Sequence, residues 1–223
     1  MLRERLQVVE ERVSCAAARA GRRRKDITLV AVTKLFPAAA LSEAYSLGLR
    51  DFGENYVQEF ERKAAAAGAL PGARFHLIGH LQSNKSGRAA ELFDVIQTVD
   101  SGRLARRLDE APRRRANPLE VMIEVKLSEE ATKSGATLES LQQIAETIRG
   151  CPNLRLTGLM TMPPWAEDPE ASRPYFRRLR ELAARVGLPQ LSMGMSQDLE
   201  IAIEEGATVV RVGTALFGSR VNA

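Results

Sequence analysis

Thr28-Leu29-Val30-Ala31-Val32-Thr33, running directly into Lys34-Leu35-Phe36-Pro37, is the stretch whose reading decides the fold. The first six residues are short-range, apolar and rich in β-branched side chains, which is the pattern of a strand buried on both faces in a helix-covered parallel sheet. A doubly wound nucleotide-binding sheet would place a glycine-rich phosphate loop in the turn after its first strand, and this turn contains no glycine. Similar runs recur at residues 51–53, 74–78, 95–99, 121–126, 154–160, 190–192 and 209–212, giving eight expected strands.

Segments of helical period separate most of these runs. The clearest are Leu138, Leu141, Ile144, Ala145 and Ile148, and then Tyr175, Phe176, Leu179, Leu182, Ala183 and Val186. Strict alternation of eight strands with helices in one chain of 223 residues points to an α/β protein, a single TIM-type (β/α)8 barrel spanning 1–223. Ahead of the first strand, Leu2, Leu6, Val9, Val13, Ala16, Ala17 and Ala20 fall on one stripe of an extra N-terminal helix. Too few residues follow the eighth strand for a full outer helix, so the N-terminal helix is expected to cover that part of the wall. Two connections are long, residues 64–72 and residues 162–174, and the prolines and acidic residues of the second (MPPWAEDPEASRP) predict irregular structure. The second follows strand six, on the face where barrels carry their sites, which makes it a candidate lid.

Composition narrows the function. Hydrophobic residues are 44% and charged residues 27% of the chain, as in globular proteins. No apolar run approaches the roughly 18 residues of a membrane helix, and the N-terminus lacks a signal-peptide core, so a cytoplasmic protein with no membrane partner is expected. Cys15 and Cys151 are too isolated for a disulfide framework, and with only His76 and His80 besides, no metal is expected. The net charge of +4 comes from 32 basic residues interleaved with 28 acidic ones, a weak argument for an anionic ligand. The runs Arg22-Arg23-Arg24-Lys25 and Arg113-Arg114-Arg115 lack interleaved aromatics, so they read as solvated loops and no nucleic-acid partner is expected.

Five residues carry chemistry. Lys34 ends the first strand. A lysine in an apolar barrel mouth is desolvated toward the nucleophilic amine, although a lysine snorkelling into solvent fits the same position. Leu191-Ser192-Met193-Gly194-Met195-Ser196 turns into a helical segment beginning Gln197-Asp198-Leu199, which predicts Ser196 at an N-cap. Val209-Val210-Arg211-Val212-Gly213-Thr214 ends a strand in Gly-Thr, again opening a helical turn. The loops after strands seven and eight are the usual phosphate site of this barrel, so Ser196, Gly213 and Thr214 make a candidate phosphate cup. Gly213 and Gly218 have P-loop spacing, but Ser219-Arg220 follows where Lys-Ser/Thr is required, and a nucleotide loop is rejected. Arg211 interrupts the apolar strand and, by alternation, faces the interior with Val209 and Gly213. A buried guanidinium needs a partner: an interior carboxylate such as Glu124 or Glu54, or a ligand ring above it.

With these residues assembled, the chain resembles the pyridoxal-phosphate homeostasis proteins (the YggS/PROSC family), relatives of the N-terminal barrel of alanine racemase. The landmarks run nearly end to end: AVTK (31–34), FGENYVQE (52–59), FHLIGHLQSNK (75–85), KSG (133–135), GLMTM (158–162), SMGMSQD (192–198) and VRVGTALFG (210–218). The resemblance implies pyridoxal 5'-phosphate (PLP) as cofactor, a Schiff base on Lys34, and a phosphate held by Ser196, Gly213 and Thr214. It implies Arg211 at the pyridine nitrogen, Asn55 near the ring face or hydroxyl, and His80 and Met193 lining the pocket. For Asn55, His80 and Met193 a strand-end cap or packing role is the alternative. Many members of the family carry a second lysine two positions beyond the Schiff-base residue, where this chain has Phe36. Lys133 stands either as a secondary PLP site or as a surface lysine.

The resemblance also frames two functions. Related racemases use a tyrosine from a C-terminal β-domain as second base; this chain ends at Ala223, and none of Tyr45, Tyr56 and Tyr175 is marked as a substitute. An arginine at the pyridine nitrogen also weakens the cofactor's electron sink. The expectation is therefore a monomeric, non-enzymatic PLP-binding protein that sequesters, buffers or supplies the cofactor, with PLP-dependent apo-enzymes as possible recipients. The alternative is a PLP enzyme such as a weak amino-acid racemase.

Overall fold

The computed structural model describes residues 1–112, 117–128 and 135–218. Lys133 and the run Arg113-Arg114-Arg115 lie outside the described residues. Eight parallel strands close into a barrel in chain order: β1 (Thr28–Val32), β2 (Asp51–Glu54), β3 (Arg74–Leu77), β4 (Val95–Val99), β5 (Leu119–Glu124), β6 (Leu154–Met160), β7 (Gln190–Ser192) and β8 (Val209–Val212). Closure is made by β1 against β8, with Val30 opposite Arg211 and Ala31 opposite Val212. The expected strands are all present, displaced at their ends by at most two residues.

Around the barrel run α1 (Leu2–Arg19), α2 (Ala38–Ser46), α3 (Val57–Ala67), α4 (Ser86–Leu92), α5 (Gly102–Asp109), α6 (Leu138–Arg149), α7 (Arg173–Val186), α8 (Leu199–Glu204) and α9 (Thr214–Phe217). The main apolar cluster lies between this ring and the outward faces of the strands, where Phe52, Leu77, Ile96, Val121, Ile123 and Val210 meet the helices. Inside the barrel, among the described residues, Val30, Met122, Met160 and Val209 form a small apolar cluster of their own. Polar side chains share the interior, with Arg211, Gln97, His76 and Ser192 buried within, while Glu54 faces outward.

α1 packs against α8 and α9, covering the wall that the single-turn α9 leaves open, as its apolar stripe implied. Arg12 of α1 pairs with Glu200 at 2.6 Å and donates to the Ser196 carbonyl at 2.9 Å, tying the helix to the loop after β7. Two expected loops are shorter than the sequence indicated. α3 continues to Ala67, because its four consecutive alanines are strong helix formers. In the second loop Pro169 opens a 3-10 turn and Pro174 sits in the first turn of α7, a position where a missing N–H costs nothing.

Candidate functional site

At the C-terminal mouth of the barrel lies a cavity of about 530 Å³. Lys34, Asn55, Ser196, Arg211, Gly213 and Thr214 all line it, although they come from four separate strand ends. Its walls are completed by Phe36, Ile78, Met162, Met195 and Trp165, the last of them 80% exposed at the rim. The loop after β6 therefore does border the site, and Gln197 anchors it by donating to the carbonyls of Ala166 and Glu167. Phe36 stands with Phe217, their ring centroids 5.1 Å apart, so an aromatic wall occupies the place of the family's second lysine.

His80 and Met193 are not among the lining residues. His80 is exposed, with Nδ1 3.7 Å from Asp100. Met193 follows Leu191 by two residues, so strand alternation sends it outward into the helix-facing core, where it is fully buried. Met195 takes the place in the wall that was expected of Met193.

The N-cap of α8 is Asp198 and not Ser196. Asp198 Oδ1 accepts from the Met195 amide at 2.7 Å, and this turn delays the helix until Leu199. The Ser196 hydroxyl instead accepts from the Ala215 amide at 3.1 Å, which joins the loop after β7 to the start of α9 and leaves the hydroxyl proton for a ligand. Gly194 permits this approach: its φ is +90°, and a Cβ there would lie 2.4 Å from that of Ala202. Gly79 does the same beside Asn55, since a Cβ would come within 2.4 Å of the Asn55 carbonyl oxygen.

Arg211 is 3% exposed and makes no ion pair with any described carboxylate. Its Nη1 donates to the Ser192 hydroxyl at 2.7 Å and its Nη2 to the Thr161 carbonyl at 2.9 Å. Neither carboxylate expected as its partner pairs with it, because Glu54 faces out of the barrel toward α3 and is taken by Lys63 at 2.6 Å. Burial pulls the guanidinium down to about 10, against the opposing pull of Asp198 and Glu124. Glu124 is 4% exposed, and burial pushes its carboxyl up to about 7, with Arg211 opposing and Asp100 adding to the rise.

Such a carboxyl makes stability depend on pH. The folded chain holds the proton more tightly than the unfolded chain, whose group sits near 4.5, so this contribution is complete below about pH 4.5 and is lost as pH rises through about 7. The size is on the order of 3 kcal/mol. Glu124→Gln is expected to gain stability relative to the parent between pH 5 and 8 in urea unfolding, and a constant difference between the two would refute the burial argument.

Lys63 is a buried group that sequence reasoning missed. It is 6% exposed, and its Nζ donates to Glu54 at 2.6 Å, Glu59 at 3.0 Å and the Thr33 carbonyl at 2.7 Å. Thr33 donates its hydroxyl to Glu54, and the Leu35 amide donates to Glu59 at 2.6 Å. The cluster thus grips the turn on both sides of Lys34, where Leu35 is held at a left-handed φ of +63° that costs a side-chain-bearing residue energy. The available signal was its place in α3, on the stripe set by Val57 and Phe60, where an apolar residue belongs.

Comparison with known proteins fits this geometry. Residues 5–221 match the alanine racemase N-terminal domain family. A pyridoxal phosphate homeostasis protein of Pseudomonas aeruginosa is 48% identical over 97% of this chain and 95% of its own length. The chain belongs to the pyridoxal phosphate homeostasis protein family. Another member, from Aquifex aeolicus, is 43% identical over 97% of both chains. Among solved structures, PipY of Synechococcus elongatus with PLP bound is 36% identical, with a TM-score of 0.83 over 98% of this chain and 100% of that one. Alanine racemase of Corynebacterium glutamicum shares the fold at 19% identity, with a TM-score of 0.65 over 96% of this chain and 61% of the racemase.

Proposed function

We propose that this family member binds PLP in the cavity at the barrel mouth and serves PLP homeostasis by sequestering the cofactor and buffering or supplying it. The observation that carries the reading is the convergence of Lys34, Asn55, Ser196, Arg211, Gly213 and Thr214 on one cavity. Those residues suit the cofactor. Lys34 supplies an amine, Ser196 a hydroxyl proton for an anion, and the Asn55 Oδ1 is sealed from solvent with no hydrogen-bond partner, an acceptor suited to the ring hydroxyl.

PLP brings a reactive aldehyde and a ring that can draw off electrons. With PLP bound, Lys34 would supply the amine that condenses with the aldehyde, releasing water; Ser196, Gly213 and Thr214 would hold the phosphate, and Asn55 would accept from the ring hydroxyl. Arg211, a guanidinium with no described carboxylate within ion-pair distance, would face the ring nitrogen and keep it unprotonated, which would blunt the electron draw that amino-acid chemistry needs. Storage follows from this, with little turnover. The chain acts as a monomer.

Adding PLP to the purified chain is expected to raise a visible absorption band that Lys34→Ala lacks. Incubation of the loaded chain with L-alanine in heavy water is expected to leave the Cα proton in place. Exchange at the roughly 1–10³ per second typical of enzymes would transfer the reading to a racemase.

A further inference from the structure

We propose that Asp51, His76, Gln97 and Ser192 form a one-way hydrogen-bond wire through the barrel, by which protonation of His76 at the bottom is felt by Arg211 under the cavity. The links are continuous. Arg211 Nη1 lies 2.7 Å from Ser192 Oγ, Ser192 Oγ 2.6 Å from Gln97 Oε1, Gln97 Nε2 3.0 Å from His76 Nδ1, and His76 Nε2 2.8 Å from Asp51 Oδ1. His76, Gln97, Ser192 and Arg211 are all buried, and the alternation of β3, β4, β7 and β8 turns them into the barrel while their neighbours Leu77, Ile96, Leu191 and Val210 face the helices.

One arrangement of protons satisfies every link. Arginine can only donate, so Ser192 accepts from it and gives its own proton to the Gln97 carbonyl. The Gln97 amide then donates to His76 Nδ1, and the His76 Nε2 proton goes to the Asp51 carboxylate. Neutral His76 with its proton on Nε2 is thereby specified. A second proton, on Nδ1, would face the Gln97 amino group, so the amide must turn over and present its own N–H to Ser192. Ser192 would then receive two donors and lose the acceptor for its hydroxyl, which loosens its hold on Arg211.

The lower end is open to influence. His76 shares a small cavity at the N-terminal mouth with Lys25, Asp26, Arg74 and Glu120, and Arg74 reaches both Glu120, at 3.0 Å, and Asp51, at 3.7 Å. The upper end lines the large cavity. A change at the bottom mouth is in this way carried to the floor of the opposite one. The consequence for a bound ring rests on the PLP reading; the wire does not.

The ligand-free chain provides the test. Glu124 also feels Arg211, so the titration is run in Glu124→Gln, following the His76 ring and the Arg211 side-chain nitrogens by NMR, the latter identified by their loss in Arg211→Lys. His76 is expected as the Nε2–H tautomer, and the Arg211 signal is expected to shift with the midpoint of His76. Ser192→Ala should abolish the Arg211 shift while His76 still titrates, and Ser192→Thr should restore it. Arg211 signals indifferent to His76, the opposite tautomer, a His76 that stays neutral until the chain unfolds, or coupling that survives in Ser192→Ala would overturn the wire. A visible band of the PLP-loaded chain that ignores this midpoint, while Arg211 responds, counts against the PLP reading and leaves the wire standing.

Discussion

Lys63→Met is expected to lower the stability of the chain by about 3–5 kcal/mol, because it leaves Glu54, fully buried, with its charge uncompensated. Burial already holds the Glu54 carboxyl above its ordinary range, with Lys63 as the main opposing influence, so removing the ammonium removes what keeps that carboxylate ionised. Adding Glu54→Gln to Lys63→Met should return much of the loss, since a neutral pair no longer requires the desolvated charge to be matched. Urea unfolding of the two variants decides it. A loss below about 1 kcal/mol in Lys63→Met would mean that the cluster is better solvated than its burial implies. Because the same cluster grips the Thr33 carbonyl and the Leu35 amide, Lys63→Met should also slow capture of the PLP aldehyde by Lys34.

Removing the hydroxyls of Ser196 and Thr214 together is expected to weaken PLP binding at least tenfold. Each hydrogen bond to a charged phosphate contributes about 1.5–3 kcal/mol, and tenfold is the smallest loss compatible with either of them being made. The loss should be specific to the phosphate. The parent should prefer PLP to pyridoxal, and Ser196→Ala/Thr214→Ala should lose most of that preference. Competitive titration with the two aldehydes reads both numbers, and unchanged PLP affinity in the double variant would move the phosphate elsewhere.

The sequence reveals the barrel for a physical reason: strands buried on both faces are written as continuous apolar runs, and their ends are set by the glycines, prolines and charges that follow. Helix termini are less legible. Ser196 reads as an N-cap by composition, yet Asp198 two residues later captures the Met195 amide and takes the role. Met193 reads as a pocket residue by its place in a motif, but strand parity sends it to the core, and Leu191 beside it gave the parity in advance.

Contacts between distant segments were the least visible. The sequence marks Arg211 as interior without showing that a serine hydroxyl and a backbone carbonyl, not a carboxylate, receive it. Lys63 and Glu54 are nine residues apart on different elements, and only the closing of α3 onto β2 makes them a pair. The polar interior linking His76 to Ser192 is likewise assembled from three strands, no two of which carry a motif that announces it.

The most direct measurement is borohydride reduction of the PLP-loaded chain followed by peptide mapping. Reduction fixes the cofactor to whichever amine holds its aldehyde, and the reduced pyridoxyl group is expected on Lys34, in the peptide that continues through Leu35 and Phe36. Recovery of the label only on Lys133 or another lysine, with Lys34 unmodified, would contradict it.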